Sequence, residues 1–295
     1  MNTSIKLLAI INPISGTGKQ KGMEELLQQH LDSSKFQLHT QYTQYAGHGS
    51  AIAKEAIQQQ FDAVLAIGGD GTINEIARSL AGSEVAMGII PCGSGNGLAR
   101  HLGIPMDTVK AIQWLNKAEI KKMDTVKANN ELFVNVAGVG FDAFISHEFA
   151  KMESRGLISY AKAVIKSFFS YPLQDFIIET KEQKHQLQGL LLSFANSSQF
   201  GNNAYIAPKA SIQDGQINLV LLKRPKLFQI PGLALKTFTK RLETSSLFTQ
   251  IKGDEFLIRQ NDTLGHVDGE PIEFGSEIHL IVCPQSLNVF TCHNC

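Results

Sequence analysis

Along the first 125 residues, short apolar runs alternate with stretches whose apolar positions recur every three or four residues. IKLLAII reads as a buried strand, after which Met23, Leu26, Leu27 and Leu31 mark one face of a helix. LHTQYT, GSAIAKEAIQQQ and DAVLAI read in turn as strand, helix and strand. INEIARSLAG and VAMGIIP, leading into GNGLARHLG, repeat the cycle. Strand, helix, strand at short intervals predicts a parallel α/β sheet with both faces covered. Beyond residue 125 the pattern changes. ELFVNVAGVGFDA, DFIIETKEQKHQLQGLLLSFANS, GQINLVLLK, EFLIRQND, HVDGEPIEF and SEIHLIVCP read as short strands separated by Gly, Asn and Asp turns. This half predicts a β-sandwich, interrupted by helix candidates near 143–170 and 226–242. The expected domains are 1–125 and 126–295, with the last residues returning to the first.

Composition narrows the choice of partners. Lys+Arg and Asp+Glu both total 27, so no global field directs the chain to nucleic acid. Asn12-Pro13 ends the first apolar run too early for a signal peptide, and no run approaches the length of a membrane span. The expected location is the cytoplasm, peripheral at the inner membrane face. Four cysteines in 295 residues form no disulfide framework. Cys92 and Cys283 lie in apolar surroundings as reduced thiols, and the CHNC tail reads as inert.

Three glycine-rich loops follow strands: SGTGK, GGDGT and CGSGNG. NPISGTGK resembles a phosphate-binding loop but has Pro13 where the first glycine belongs and Gln20 where Ser or Thr should follow. GVGFDA fits a dinucleotide pattern formally, yet lies in the β-rich half, where glycine-driven strand packing explains it better. In GGDGTINE, Thr72 and Glu75 predict a capping box, and Ile73, Ile76, Ala77 and Leu80 the buried face of the helix it opens. Glycines ahead of a helix N-terminus let backbone N–H groups approach an anion. Three such loops on one sheet edge predict a phosphate site, where Asp70 is unfavourable unless Mg²⁺ intervenes.

NPISGTGK, GGDGTINEIARSL, PCGSGNGLARHLG, GVGFDA, APKASIQDGQINLV and HVDGEPI, in this order, resemble the diacylglycerol kinase catalytic-domain family, including the soluble bacterial lipid kinases and the sphingosine kinases. The resemblance implies an NAD kinase/phosphofructokinase-like α/β domain followed by a β-sandwich, with ATP in the cleft between them. It implies that Asn12, Ser15, Thr43, Gly68, Gly69, Asp70, Gly71, Thr72, Ile73, Asn74, Glu75, Gly93, Ser94 and Asn96 hold ATP. It implies a Mg²⁺-dependent lipid kinase in which Glu270, supported by Asp268, takes the acceptor's proton, while Asp70 positions Mg²⁺ or the acceptor. Asp214, helped by backbone carbonyls near Ser211 and Gln216, is implied as a structural Mg²⁺ site, although Asp-Gly alone reads equally well as a hairpin turn. Asp268 and Glu270 are expected on one strand face.

One departure from the bacterial pattern matters. Gly97 stands where many members carry an aspartate, and the GSGN form is closer to sphingosine and ceramide kinases. Diacylglycerol is the expected acceptor, with a sphingoid base as alternative. An NAD kinase and a non-catalytic nucleotide-binding protein are the more distant readings. Residues 223–242 hold six basic residues and no acid among apolar ones. Two readings stay open for them: a solvated helix packed on the sandwich, or a surface meeting anionic lipid. A homodimer also stays open.

Overall fold

The structure is a computed structural model that describes residues 4–14, 22–150 and 167–292. Strands β1 (Ile5–Ile11), β2 (Phe36–Tyr42), β3 (Ala63–Gly68) and β4 (Ala86–Pro91) run parallel in the order β2-β1-β3-β4. β3 and β4 are buried along their whole length, as parallel strands covered on both faces must be. The cover comes from α1 (Met23–His30), α2 (His48–Gln58), α3 (Asp70–Leu80), α4 (Gly97–His101) and α5 (Thr108–Leu115), with α2 packed on α3 and α1 on α5.

The change of period marks the passage into antiparallel strands. β5 (Glu119–Ala128), β6 (Glu131–Phe133) and β7 (Val136–Gly140) lead into α6 (Phe141–Ala150). β8 (Gln174–Glu179), β9 (Lys184–Gly189) and β10 (Leu191–Ala195) follow, then a ribbon of β11 (Gln199–Gly201) and β12 (Ala204–Tyr205). After β13 (Ile217–Leu222) and α7 (Ile230–Phe238) come β14 (Phe248–Gly253), β15 (Glu255–Arg259), β16 (Leu264–Val267), β17 (Glu270–Glu273) and β18 (Glu277–Thr291).

One sandwich sheet has the order β14-β13-β10-β7-β16-β17, and β9-β8-β15-β18, with β5 and β6, faces it. Phe176, Phe256 and Leu280 from one sheet meet Leu192, Phe194 and Leu219 from the other in a dry core. Each such side chain stabilises the fold by about 1.5–3 kcal/mol relative to exposure. The outer face of the β7/β10/β13 sheet is not bare. Phe141, Tyr171 and Leu191 form one apolar cluster over it, and Val136, Val220 and Leu242, with Phe200 and Leu233, form another.

β18 ties the halves together. Its first part pairs with β15 and β5, while Val289 pairs in parallel with Met87 of β4, and Leu287, Val289 and Phe290 belong to the α/β core. The register against β5 shifts between Cys283 and Leu287. Buried Asp124, which the sequence reading passed over, fills this irregularity by accepting from the N–H groups of Gln285 (2.8 Å) and Gly215 (2.7 Å).

The expected helix at 226–242 is shorter than predicted, α7 being flanked by 3-10 turns at Leu227–Gln229 and Leu242–Thr244. Of the candidate near 143–170, α6 starts two residues earlier and 151–166 lies outside the described residues. Cys92 is a buried thiol and Cys283 a half-buried one, neither in a disulfide. Cys292 is disulfide-bonded, and the rest of the CHNC tail lies outside the described residues. Among the described residues, no helix is long and apolar enough to cross a membrane.

Candidate active site

The α3 helix begins directly where β3 ends. Gly69 is extended (φ −92°, ψ −175°) and Asp70 is already helical, without a side-chain cap. The expected capping box is therefore not formed. Thr72 lies inside the first turn, its hydroxyl oxygen accepting from Asn12 Nδ2 at 2.9 Å, and Glu75 Oε1 accepts from the Ser50 N–H at 3.0 Å. The expected buried face is present, with Ile73, Ile76, Ala77 and Leu80 all inside. Ile73 thus belongs to the core, its N–H donating to the Gly69 carbonyl at 3.0 Å.

The physical reason for the uncapped start is a contact between loops. A Cβ on Gly93 would lie 2.7 Å from the Cα of Gly69, so the two glycine loops touch backbone to backbone. Asp70 locks them: its carboxylate accepts from the N–H groups of Asn96 (2.8 Å) and Gly97 (2.9 Å). Burial raises the Asp70 pKa, and these two N–H groups oppose the rise. The buried Asn96 side chain turns back onto Gly93, while Ser94 is exposed at the loop tip. This third loop is thereby tied to the start of α3. Ser15 and the SGTGK loop lie outside the described residues.

A cavity of about 690 Å³ opens beside α3, lined by Asn12, Thr43, Gly69, Gly71, Thr72, Asn74, Glu75 and Glu270 among others. The first-turn N–H groups of an α-helix lack intrahelical acceptors, and those of Gly71 and Thr72 belong to residues of this wall. Gly68 and the third loop do not line it. Arg78 does, paired with Glu131 and with a buried Nε that has no hydrogen-bond partner among the described residues. The sequence reading missed this cation, which sits on a helix turn with no glycine to mark it.

Asp268 and Glu270 do not share a strand face. Asp268 (φ +49°) and Gly269 (φ +90°) form the two-residue turn between β16 and β17, the left-handed geometry that favours Asp-Gly. Asp268 turns inward. Its carboxylate accepts from the N–H groups of Val134, Asn135 and Val136 and from the side-chain amide of Asn74, while burial raises its pKa. Glu270 turns outward, and its Oε1 lies 2.7 Å from where a Cβ on Gly71 would stand. Its side chain makes no hydrogen bond or ion pair with another described residue.

A second cavity, about 410 Å³, adjoins the first across Asp70–Gly71 and Gly269–Glu270. Val136, Phe141, Ile145, Leu191 and Phe200 give it apolar walls. Its polar end comes from one rung of the sheet, where Ser193 and His266 flank Gly138 in register. Asp142, at the start of α6, reaches this rung: its Oδ2 accepts from Ser193 Oγ at 2.9 Å and lies 3.3 Å from His266 Nε2. His266 Nδ1 is buried without a hydrogen-bond partner among the described residues. No spacing in the sequence joins these residues, which come from three separate segments.

The diacylglycerol kinase catalytic domain matches residues 6–128, and the YegS C-terminal NAD kinase β-sandwich-like domain matches residues 135–291. A diacylglycerol kinase of Bacillus subtilis (strain 168) is 30% identical over 76% of this chain and 76% of its own. A probable YegS-like lipid kinase of Pectobacterium atrosepticum is also 30% identical, over 86% of this chain and 87% of its own. The chain belongs to the diacylglycerol kinase and YegS-like lipid kinase family. The family's members are ATP-dependent phosphotransferases. The fold agrees with the crystal structure of a putative diacylglycerol kinase from Bacillus anthracis, with a TM-score of 0.76 at 20% identity over 98% of both chains.

The first cavity presents Glu75, Glu131 and Glu270 against the guanidinium of Arg78. That balance opposes a triphosphate unless a divalent cation accompanies it. Mg²⁺ bound with phosphates takes only one or two protein carboxylates, so this donor set fits a phosphate-borne ion. Glu131 is paired with Arg78, leaving Glu75 and Glu270 without a cationic partner among the described residues. At the structural Mg²⁺ site expected on Asp214, the carboxylate already has protein partners. Lys252 Nζ lies 2.7 Å from Asp214 Oδ2, Oδ1 accepts from the Gln216 N–H in an Asx-type turn, and Ser211 Oγ accepts from the Gln213 N–H. Among the described residues, no group of three or more His, Cys, Asp or Glu side chains is placed to share a metal ion.

Proposed function

We propose that this kinase transfers the γ-phosphoryl group of ATP, taken with Mg²⁺, to the free hydroxyl of a diacylglycerol, giving phosphatidic acid. The observation that carries the reading is the pair of adjoining cavities, one bounded by the GGDGT loop and the helix N-terminus it opens, the other walled by apolar side chains. The second cavity is of a size that buries a drug-sized group. It would take the glycerol end of the lipid and leave most of the acyl chains outside.

The N-terminus of α3 receives phosphate oxygens through its free N–H groups and its dipole. Bound Mg²⁺ supplies charge neutralisation at the phosphates. Glu270 follows Gly269, a residue of the acceptor cavity, so it is the carboxylate on the acceptor's side, and Glu75 is left to meet the cation. The acceptor oxygen forms a bond to the γ-phosphorus, the bond to the β–γ bridging oxygen breaks, and ADP leaves. The acceptor's proton passes to Glu270. Phosphoryl transfer depends chiefly on positioning and charge neutralisation, and general-base help adds about 10²–10⁴-fold.

A sphingoid base is the second reading, because Asp142 places a carboxylate at the polar end of the acceptor cavity. That carboxylate already accepts from Ser193 Oγ and from the Ala143 N–H, beside His266. An ammonium group would have to displace these donors, which favours a neutral acceptor. Incubation with labelled ATP and separate dispersions of diacylglycerol, sphingoid base and NAD decides the matter. Label in phosphatidic acid is expected, and label only in a sphingoid phosphate or in NADP overturns the reading.

A further inference from the structure

Four large apolar side chains stand out from one segment: Leu227 is 72% exposed, Phe228 78%, Leu235 64% and Phe238 58%. No residue of α7 is fully buried, although Leu233 joins the cluster beneath it. A helix of an ordinary globular surface hides its apolar stripe. This one displays it beside Lys223, Lys226, Lys240 and Arg241, all exposed. No acid occurs between 223 and 242, and Glu243, the first one after it, is already paired with Lys209 at 2.8 Å. None of the segment's six cations forms an ion pair among the described residues. Arg224 donates to the carbonyl of Tyr171, two residues from the exposed Phe169 and Leu173, so the apolar surface continues past the segment itself.

We propose that residues 223–241 seat the kinase on an anionic membrane surface. The four apolar side chains enter the headgroup–acyl boundary and the surrounding lysines and arginines meet lipid phosphates. The combination selects this occupant. A nucleic acid would satisfy the cations but leave four large apolar side chains uncovered. A second copy docked face to face through the same patch would oppose one set of cations to another, because a two-fold interface pairs a surface with itself. The position also fits a membrane substrate. Phe200 lines the acceptor cavity and belongs to the same cluster as Leu233 of α7, so cavity and segment share one side of the sandwich. The proposal does not depend on which lipid is phosphorylated.

The test is cosedimentation, without substrate, of the full chain with vesicles of phosphatidylcholine alone or containing phosphatidylglycerol. Wild-type protein should prefer the anionic vesicles, and salt should weaken the preference. Lys223→Gln, Lys226→Gln and Arg241→Gln together should reduce partitioning about 100-fold, given the attraction per basic residue near such a surface. Phe228→Ser with Phe238→Ser should abolish the binding that remains at high salt. Both variants should keep the wild-type melting temperature and the activity on detergent-dispersed acceptor. Unchanged vesicle binding overturns the proposal, as do equal partitioning to both vesicle types and a shift of the wild-type protein to a dimer that the apolar variant abolishes. Failure of the diacylglycerol assay with vesicle binding intact would count against the acceptor reading alone.

Discussion

Asn74, in the second turn of α3, donates its side-chain amide to the carboxylate of Asp268 in the β16–β17 turn, fastening this helix to the sandwich. The same carboxylate receives three consecutive backbone N–H groups, from Val134 to Val136. Asp268 therefore acts first as a latch that sets where Glu270 stands.

Replacing Asp268 by alanine strands four buried donors, each costing about 1–3 kcal/mol when unsatisfied. Asp268→Ala should lower the denaturation midpoint strongly, and Asp268→Asn, which keeps one acceptor oxygen, should do so less. Urea unfolding of both variants checks this. A normal midpoint with reduced turnover would show that Asp268 serves only to tune Glu270.

Glu270→Gln tests the proton acceptor. The side chain has no hydrogen-bond or ion-pair partner among the described residues, so the melting temperature should stay unchanged. The kcat should fall by about 10²–10⁴-fold, with ATP affinity nearly preserved. Rate and melting curve on one preparation give the answer, and a stable variant with wild-type kcat removes Glu270 from the mechanism.

Gly71→Ala probes the same carboxylate from the opposite side. Alanine within a helix is favoured over glycine by about 0.5–1 kcal/mol, so stability should hold or rise. The added Cβ would lie 2.7 Å from Glu270 Oε1 and push that flexible side chain away. A misplacement of about 1 Å can cost up to 10²-fold in rate. Steady-state kinetics should show kcat reduced more than ATP affinity, and an unaltered kcat would mean the close approach is incidental.

His101 makes stability depend on pH. Burial, with Lys240 as a lesser cause, lowers its imidazole to about 4. The Ser198 N–H donates to Nδ1 at 3.2 Å, an interaction that requires the neutral ring. Above pH 6.5 the ring is neutral in both folded and unfolded chains, and its contribution is complete. Between 6.5 and about 4 only the unfolded chain takes up the proton, so stability falls, by at most about 1.4 kcal/mol per pH unit. Denaturation midpoints across this range should show the decline, and His101→Gln should flatten it. An identical slope in the variant would exclude His101 as its source.

The alternation of strands and helices in the first 125 residues was legible because hydrophobic periodicity is a local property: each element needs only its own apolar spacing to declare itself. The face formed by Ile73, Ile76, Ala77 and Leu80 was readable on that basis, as were the antiparallel strands after residue 125 and the placement of the GGDGT and CGSGNG loops at strand ends. The start of α3 was not. Whether Asp70 belongs to the turn or to the helix depends on donors at Asn96 and Gly97, residues that only the neighbouring strand brings near. Asp268 likewise reads as a turn residue or a catalytic one until the chain delivers Asn74 and the Val134–Val136 backbone to it. Asp142, Ser193 and His266 carry no shared motif, because what unites them is one rung of a sheet whose strands come from distant parts of the chain. Local spacing decides which residues can form an element. Buried carboxylates and imidazoles find their partners only when nonlocal packing removes water and leaves no other donor or acceptor within reach.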